Sequence, residues 1–327
     1  MGSLDGAEDP WSFYDWLGEA TRRDIEAALP EGFGLDGRSV LDFGCGAGRT
    51  LRHFVADRRS IELWGCDIDA SSIAWLQEHM APPLHVFVNG ERPPLPQPDE
   101  SFDVVYCISV FTHLTDSWSE WLLELHRVLK PGGLLIATFM GEGQSEVIAG
   151  EPWDDSRVGM LVLLPGQSWD HGGPMVMHSP WWIEQHWGRL FDVVRLQEHG
   201  FASSPGQGHG VVTLVKKPVT ADVEQLRAPG DDPREAVALA HNVELLSREL
   251  EALRPHTARL ERELEGARSI GLQPEPSGPA HTGHPARRGA RRAKQVAWPA
   301  LGTLGIAALG LATRAASRRR RNAPARG

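Results

Sequence analysis

At 327 residues the chain is long for one domain and short for three, so one large domain with an appendage is expected. Its 41% hydrophobic and 23% charged residues are ordinary for a globular protein. The net charge of −10 is unevenly spread: the segment from Gly278 onward holds eleven Lys/Arg and no acid, which leaves −21 on the rest. A body that acidic is a poor partner for nucleic acid, whereas the tail suits an anionic surface.

Cys45, Cys66 and Cys107 share no CxxC spacing, so neither a metal site nor a disulfide framework is expected, and the chain reads as cytoplasmic. The first ten residues are polar and acidic, with no apolar core of a signal peptide. Residues 11–29 then read as an amphipathic helix, ended by Pro30. Strands are expected at Ser39–Phe43, Ile61–Asp67, Leu84–Asn89, Phe102–Cys107 and Gly133–Phe139, with helices at Arg49–Ala56, Ser71–His79 and Ser117–Val128. Such alternation gives βαβ units and a doubly wound, Rossmann-like α/β domain with a mostly parallel seven-stranded sheet, whose ligands lie at the strands' carboxyl ends.

The rhythm breaks over residues 140–178, where Met160–Leu164 and Met175–Met177 are candidates for a hairpin in a lid-like insertion. A short helix over Ser179–Trp187 and strands Phe191–Gln197 and Val211–Lys217 close the domain at residue 217. Residues 218–235 read as a linker. From Leu239 to Ala267 apolar residues recur at alternating steps of four and three, the seam of a coiled coil over 236–269. With Val243 and Leu250 at a positions, Glu249 faces Arg254′ and Glu263 faces Arg268′ across a parallel homodimer, while Pro255 falls on the outer face. A single amphipathic helix packed on its own domain is the other reading. A basic linker (270–295) leads to the uncharged stretch Val296–Thr313 and a basic tail (314–327). As a helix those 18 residues would span about 27 Å, just short of a ~30 Å hydrocarbon core. Association with an anionic membrane surface and a disordered basic tail are both open.

Val40-Leu41-Asp42-Phe43-Gly44-Cys45-Gly46-Ala47-Gly48 is a strand entering a glycine-rich turn that opens a helix. A dinucleotide fingerprint would want glycine at 49, which is Arg. The pattern Asp-x-Gly-x-Gly-x-Gly instead resembles motif I of the class I S-adenosylmethionine (SAM)-dependent methyltransferases. Nineteen residues beyond Gly48, Asp67 ends the next strand, where a carboxylate can accept both hydroxyls of a ribose. Pro94–Tyr106 and Leu125–Gly133 resemble the fourth-strand loop and the turn into the fifth strand of the same family. The likeness is close over about 36–140 and loose over 141–217.

The resemblance implies SAM as cofactor, with Asp42, Gly44, Gly46 and Gly48 at its methionine end and Asp67 on its ribose. It also implies Cys107 in the pocket wall and an adenine contact from Asn89 or Glu91. No (Asn/Asp)-Pro-Pro-(Tyr/Phe) follows the fourth strand, where members that methylate amino groups carry it, so an oxygen nucleophile on a small molecule, sugar or lipid-linked acceptor is expected. His113 is the candidate general base, with a structural histidine in the pocket wall as the alternative. His171 and His178 are weaker candidates. Trp169, Trp181, Trp182 and Trp187 read as core and lid packing rather than a sugar platform. Two other readings stay open: a soluble natural-product O-methyltransferase, and a non-catalytic SAM-binding scaffold at a membrane.

Overall fold

A computed structural model describes residues 9–55, 60–150, 152–168, 172–203 and 207–269. The first helix, α1 (Pro10–Ala28), starts where Asp9 accepts the Trp11 N–H and Pro10 supplies a preset φ; its chain turns extended at Leu29, before Pro30. Then follow β1 (Ser39–Phe43), α2 (Leu51–Val55), β2 (Glu62–Asp67), α3 (Ala70–His79), β3 (His85–Val88), β4 (Phe102–Cys107), α4 (Trp118–Val128) and β5 (Leu129–Phe139). The insertion holds α5 (Ser145–Ile148), β6 (Met160–Leu163) and β7 (Met175–His178). It leads to α6 (Pro180–His186), β8 (Phe191–Phe201), β9 (His209–Lys216), α7 (Val223–Arg227) and α8 (Arg234–Ser269).

Seven strands form one sheet in the order β3-β2-β1-β4-β5-β9-β8. The first five are parallel; β9 pairs antiparallel with β5, and β8 pairs antiparallel with β9 at the edge. From β1 the chain winds outward to β2 and β3, then returns to lay β4 on the other side. The carboxyl ends of β1 and β4 therefore bound a crevice where the winding reverses. Alternation along the inner strands feeds two cores: Leu41, Phe43, Val105 and Cys107 face α4, while Val40, Val104 and Tyr106 face Leu51, Phe54, Ile73 and Leu76. Trp118, Trp121, Leu122, Leu125 and Val128 recur at helical spacing on α4, and that stripe is its buried face.

The expected hairpin forms: β6 and β7 pair antiparallel as a separate two-stranded sheet. It is tied to the body where the Val176 and His178 N–H groups donate to the Thr112 and Met140 carbonyls. Trp181, Trp182 and Trp187 are buried packing residues; Trp169 and His171 lie outside the described residues.

Residues 218–235 are not a bare linker. Asp222 and Gln225 close a reciprocal capping box that starts α7, and Leu226 is fully buried. The start of α8 is packed too: His186 Nδ1 lies 2.9 Å from the Leu226 carbonyl and Nε2 lies 3.1 Å from the Glu235 carboxylate. The Pro/Asp/Gly composition that suggests a loop also supplies helix caps, and burial of one leucine decides between them. Two units result, residues 9–239 and 240–269. Among the described residues no helix is long and apolar enough to cross a membrane; residues 296–313 and the basic clusters beside them lie outside that set.

Candidate functional site

The glycine turn is anchored before any ligand is considered. Both the Gly44 and Cys45 N–H groups donate to the Cys66 carbonyl, at 2.8 and 3.0 Å, which ties the end of β1 to the end of β2. Gly44, Gly46 and Gly48 all take positive φ, the region open to glycine at little cost. A Cβ on Gly44 would lie 2.5 Å from Val110 Cγ2, whereas one on Gly46 would meet nothing within 4 Å. Gly44 is thus needed for internal packing, while Gly46 borders open space.

Asp67 clasps this turn: Oδ2 accepts the Gly46 N–H at 2.8 Å and Oδ1 accepts the Asp69 N–H at 2.9 Å. Each oxygen keeps a second lone pair. Asn89, at the end of β3, donates its N–H to the Asp67 carbonyl at 3.1 Å. Its Nδ2 is spent on the Gly90 carbonyl, and its Oδ1 is buried without a hydrogen-bond partner. A buried orphan acceptor costs free energy unless a ligand supplies a donor, so a group offering an N–H beside Asn89 fits here. Glu91, the alternative to Asn89, has an exposed side chain and contributes its carbonyl to Trp121 Nε1.

Asp42 is buried inside β1 and accepts the Tyr106 hydroxyl at 3.0 Å. Burial pushes its carboxyl up to about 7; the Tyr106 bond and the Arg49 charge oppose this, and the Asp67 charge adds to it. Cys107 departs from expectation. Its thiol is fully buried in the α4-side core with Sγ 3.8 Å from the Ile136 carbonyl, because strand alternation sends residue 107 to the face opposite Asp42's partner Tyr106. Burial holds all three cysteine thiols well above their usual range.

Beyond β4 the chain forms the far wall of the crevice. Ser109 takes a positive φ of 60°, unusual for a residue with a side chain, and its N–H donates to Thr138 Oγ1 at 2.8 Å. Its Oγ lies 3.3 Å from Nδ1 of the buried His209, whose pKa burial drives down to about 4. His113 Nδ1 is 2.8 Å from the Pro174 carbonyl. A carbonyl only accepts, so Nδ1 holds the proton and Nε2 is the nitrogen with the lone pair. Burial lowers the His113 pKa, against the opposing pull of that bond, which keeps the ring neutral near neutral pH. His178, by contrast, is buried between Trp182 and Trp187 and pushed down to about 3 by burial.

A family model described as a methyltransferase domain matches residues 41–137, the span from β1 to the end of β5 that holds the glycine turn, Asp67 and Asn89. The chain carries a class I SAM-dependent methyltransferase domain. It is similar over 104 residues to phthiotriol/phenolphthiotriol dimycocerosates methyltransferase 1 of Mycobacterium ulcerans (35% identical, 32% of this chain and 38% of that protein). It is also similar to the fatty-acid O-methyltransferase of Mycolicibacterium smegmatis (31% identical over 104 residues, the same two shares) and to the 2-methyl-6-phytyl-1,4-hydroquinone methyltransferase of Synechocystis (28% identical, 45% of this chain and 46% of that protein). The chain thus spans less than half the length of each of these relatives. SAM is the cofactor of this methyltransferase domain.

The domain brings Gly46, Asp67 and Asn89 together on one rim of the crevice and sets Asp42 beneath the turn. Sequence reasoning missed Ser109 and His209. Nothing local marks them, since Ser109 is distinguished only by its backbone angle and His209 arrives on the antiparallel β9, a hundred residues later.

Proposed function

We propose that this domain transfers the methyl group of SAM to an oxygen nucleophile of a lipid or other small-molecule acceptor. The observation that carries the proposal is the clasp of Asp67 and Asn89 at the ends of β2 and β3, which pairs two carboxylate oxygens with spare lone pairs and a buried amide oxygen lacking a donor. SAM supplies an electrophilic methyl on a sulfonium, so the protein's tasks are to position it in line and to remove the acceptor's proton. Asp67 accepts the ribose hydroxyls, Asn89 Oδ1 accepts the adenine amine, and the Gly44–Gly48 backbone lies against the methionine end above Asp42. His113 Nε2 takes the acceptor's proton, with Nδ1 fixed by the Pro174 carbonyl. Burial of Cys107 leaves that thiol to the core and gives the wall of the pocket to Ser109. The names of the three relatives, all methyltransferases and two of them of mycocerosate or fatty-acid compounds, favour a lipid-like acceptor.

Asp67→Ala removes charge-assisted bonds worth roughly 1.5–3 kcal/mol, so SAM binding should weaken by about 10- to 150-fold in titration calorimetry. Unchanged affinity would remove Asp67 from the ribose site.

We also propose that α8 pairs in parallel with α8 of a second copy. Val243, Leu246, Leu250, Leu253, Leu260 and Leu264 form one stripe, each between 47% and 64% exposed, and α8 runs unbroken through Pro255. An apolar stripe this open from Val243 to Leu264 is costly without a partner, and the Glu249–Arg254′ and Glu263–Arg268′ pairs suit a parallel one. Because Glu235 and Ala238 are buried with the body, the informative truncation begins at Ala240. Light scattering should give a dimer for the full chain and a monomer for residues 1–239; a monomeric full chain at micromolar concentration would exclude the pairing.

A further inference from the structure

Gly208-His209-Gly210 brings β9 into the sheet at the carboxyl-end rim, where Gly210 stands opposite Phe139, the last residue of β5. Neither glycine has room for a side chain: a Cβ on Gly208 would strike Ser203 Oγ, and one on Gly210 the Phe139 ring. His209 is therefore held at a fixed height in the rim, only 8% exposed. Ser109 meets it from the chain leaving β4, with Oγ 3.3 Å from Nδ1. Ser109 is itself pinned in a left-handed conformation, its N–H donating to Thr138 Oγ1 at 2.8 Å. Strain of this kind persists only where surrounding structure imposes it, and it gathers at ligand sites. Among the described residues no hydrogen bond engages His209 Nε2. The ring responds electrostatically to His113, so the two histidines share one wall of the crevice.

The pair has a fixed hydrogen-bonding capacity. If the serine hydroxyl donates to Nδ1, then Nε2 carries the ring proton; if Nδ1 donates, the hydroxyl proton is left for the crevice. Either way the pair offers one donor and one lone pair, and no charge. A second proton on the ring is resisted by burial, which brings its pKa down to about 4, with the charges of His113 and Arg49 pushing the same way. A hydroxyl, itself a donor and an acceptor, matches that offer. A carboxylate brings acceptors only, so one of its oxygens would face a lone pair after losing its water. We propose that Ser109 and His209 form the recognition site for the acceptor's reacting hydroxyl, which makes a neutral alcohol or phenol, rather than a carboxylic acid, the substrate class. The inference rests on the oxygen acceptor proposed above. The hydroxyl oxygen accepts from the pair's donor and turns its proton toward His113 Nε2. As the O–CH3 bond forms and the S–CH3 bond of SAM breaks, that proton passes to His113 and S-adenosylhomocysteine is left.

The test is titration calorimetry on the full chain saturated with S-adenosylhomocysteine, using 4-hexylphenol, 4-hexylbenzoate and 4-hexylaniline, which share one tail. The phenol should bind at least about tenfold tighter than the benzoate. His209→Leu and Ser109→Ala should each weaken the phenol by about 5- to 10-fold, leave the benzoate within about twofold and leave S-adenosylhomocysteine affinity unchanged. The double variant should lose little beyond either single one, because the two side chains act as a unit. His209→Gln, whose amide also offers a donor and an acceptor, should recover part of the phenol affinity. Benzoate bound as tightly as phenol, phenol untouched by both substitutions, or equal weakening of every ligand would overturn the proposal, as would absence of phenol binding. Preference for the benzoate would remove the hydroxyl assignment and leave the oxygen acceptor standing, whereas binding of the aniline alone would remove the oxygen acceptor itself.

Discussion

His113→Ala is expected to lose roughly 10²- to 10⁴-fold in turnover, the usual contribution of a positioned general base, while SAM binding is unchanged. The ring sits where the chain leaves β4, and the Pro174 carbonyl fixes which nitrogen holds the lone pair. Burial keeps it neutral at physiological pH and places the acid limb of the rate profile below the ordinary histidine range: activity falls as pH drops through the lowered pKa. The same hydrogen bond also ties β4's outgoing chain to the insertion, so loss of activity alone would not separate a base from an anchor. His113→Gln separates them, because glutamine can donate to Pro174 yet cannot take up a proton. A base predicts that Gln is as inactive as Ala; recovery in Gln, or a loss of less than about tenfold in Ala, would make His113 an anchor. The readout is labelled methyl transferred from SAM into a total lipid extract, alongside SAM affinity by calorimetry.

Asp42→Asn should stabilise the ligand-free protein, and increasingly so as pH rises. The carboxyl titrates near 3.8 when unfolded and is raised to about 7 when folded. Below pH 3.8 both states hold the proton and Asp42 imposes no penalty. Between 3.8 and 7 the unfolded chain releases it while the folded one retains it, so stability declines over that window and levels off above it. Three pH units correspond to on the order of 4 kcal/mol, the ceiling for this one buried carboxyl. Urea unfolding of both proteins from pH 4 to 8 should show the advantage of Asn growing from near zero toward that ceiling. Asparagine still accepts the Tyr106 hydroxyl, so the variant isolates the charge. A pH-independent difference would show that Asp42 is not the group raised. Retaining so costly a carboxyl under the glycine turn is the pattern of a residue kept for a ligand rather than for folding.

Much of the fold was legible from residues alone because its signals are local. Short apolar strands alternating with amphipathic helices gave the doubly wound sheet, and three glycines with an acid nineteen residues later gave the cofactor turn. Asp67 and Asn89 stand at ends of strands that periodicity could place, so their meeting follows from strand order. Other outcomes were set by contacts between residues far apart in the chain. Whether Cys107 faces the pocket or the core depends on a one-residue alternation that only packing fixes. Residues 218–235 look like a linker until Leu226 finds a buried place and Glu235 meets His186. Ser109 and His209 belong to segments that share no motif; the winding of β9 against β5 brings them together. The residues themselves determined the domain and its cofactor, because a backbone turn and a carboxylate at a strand end are written locally. Which side chains line the reaction space was decided by tertiary structure, because burial and missing partners exist only after distant elements have packed.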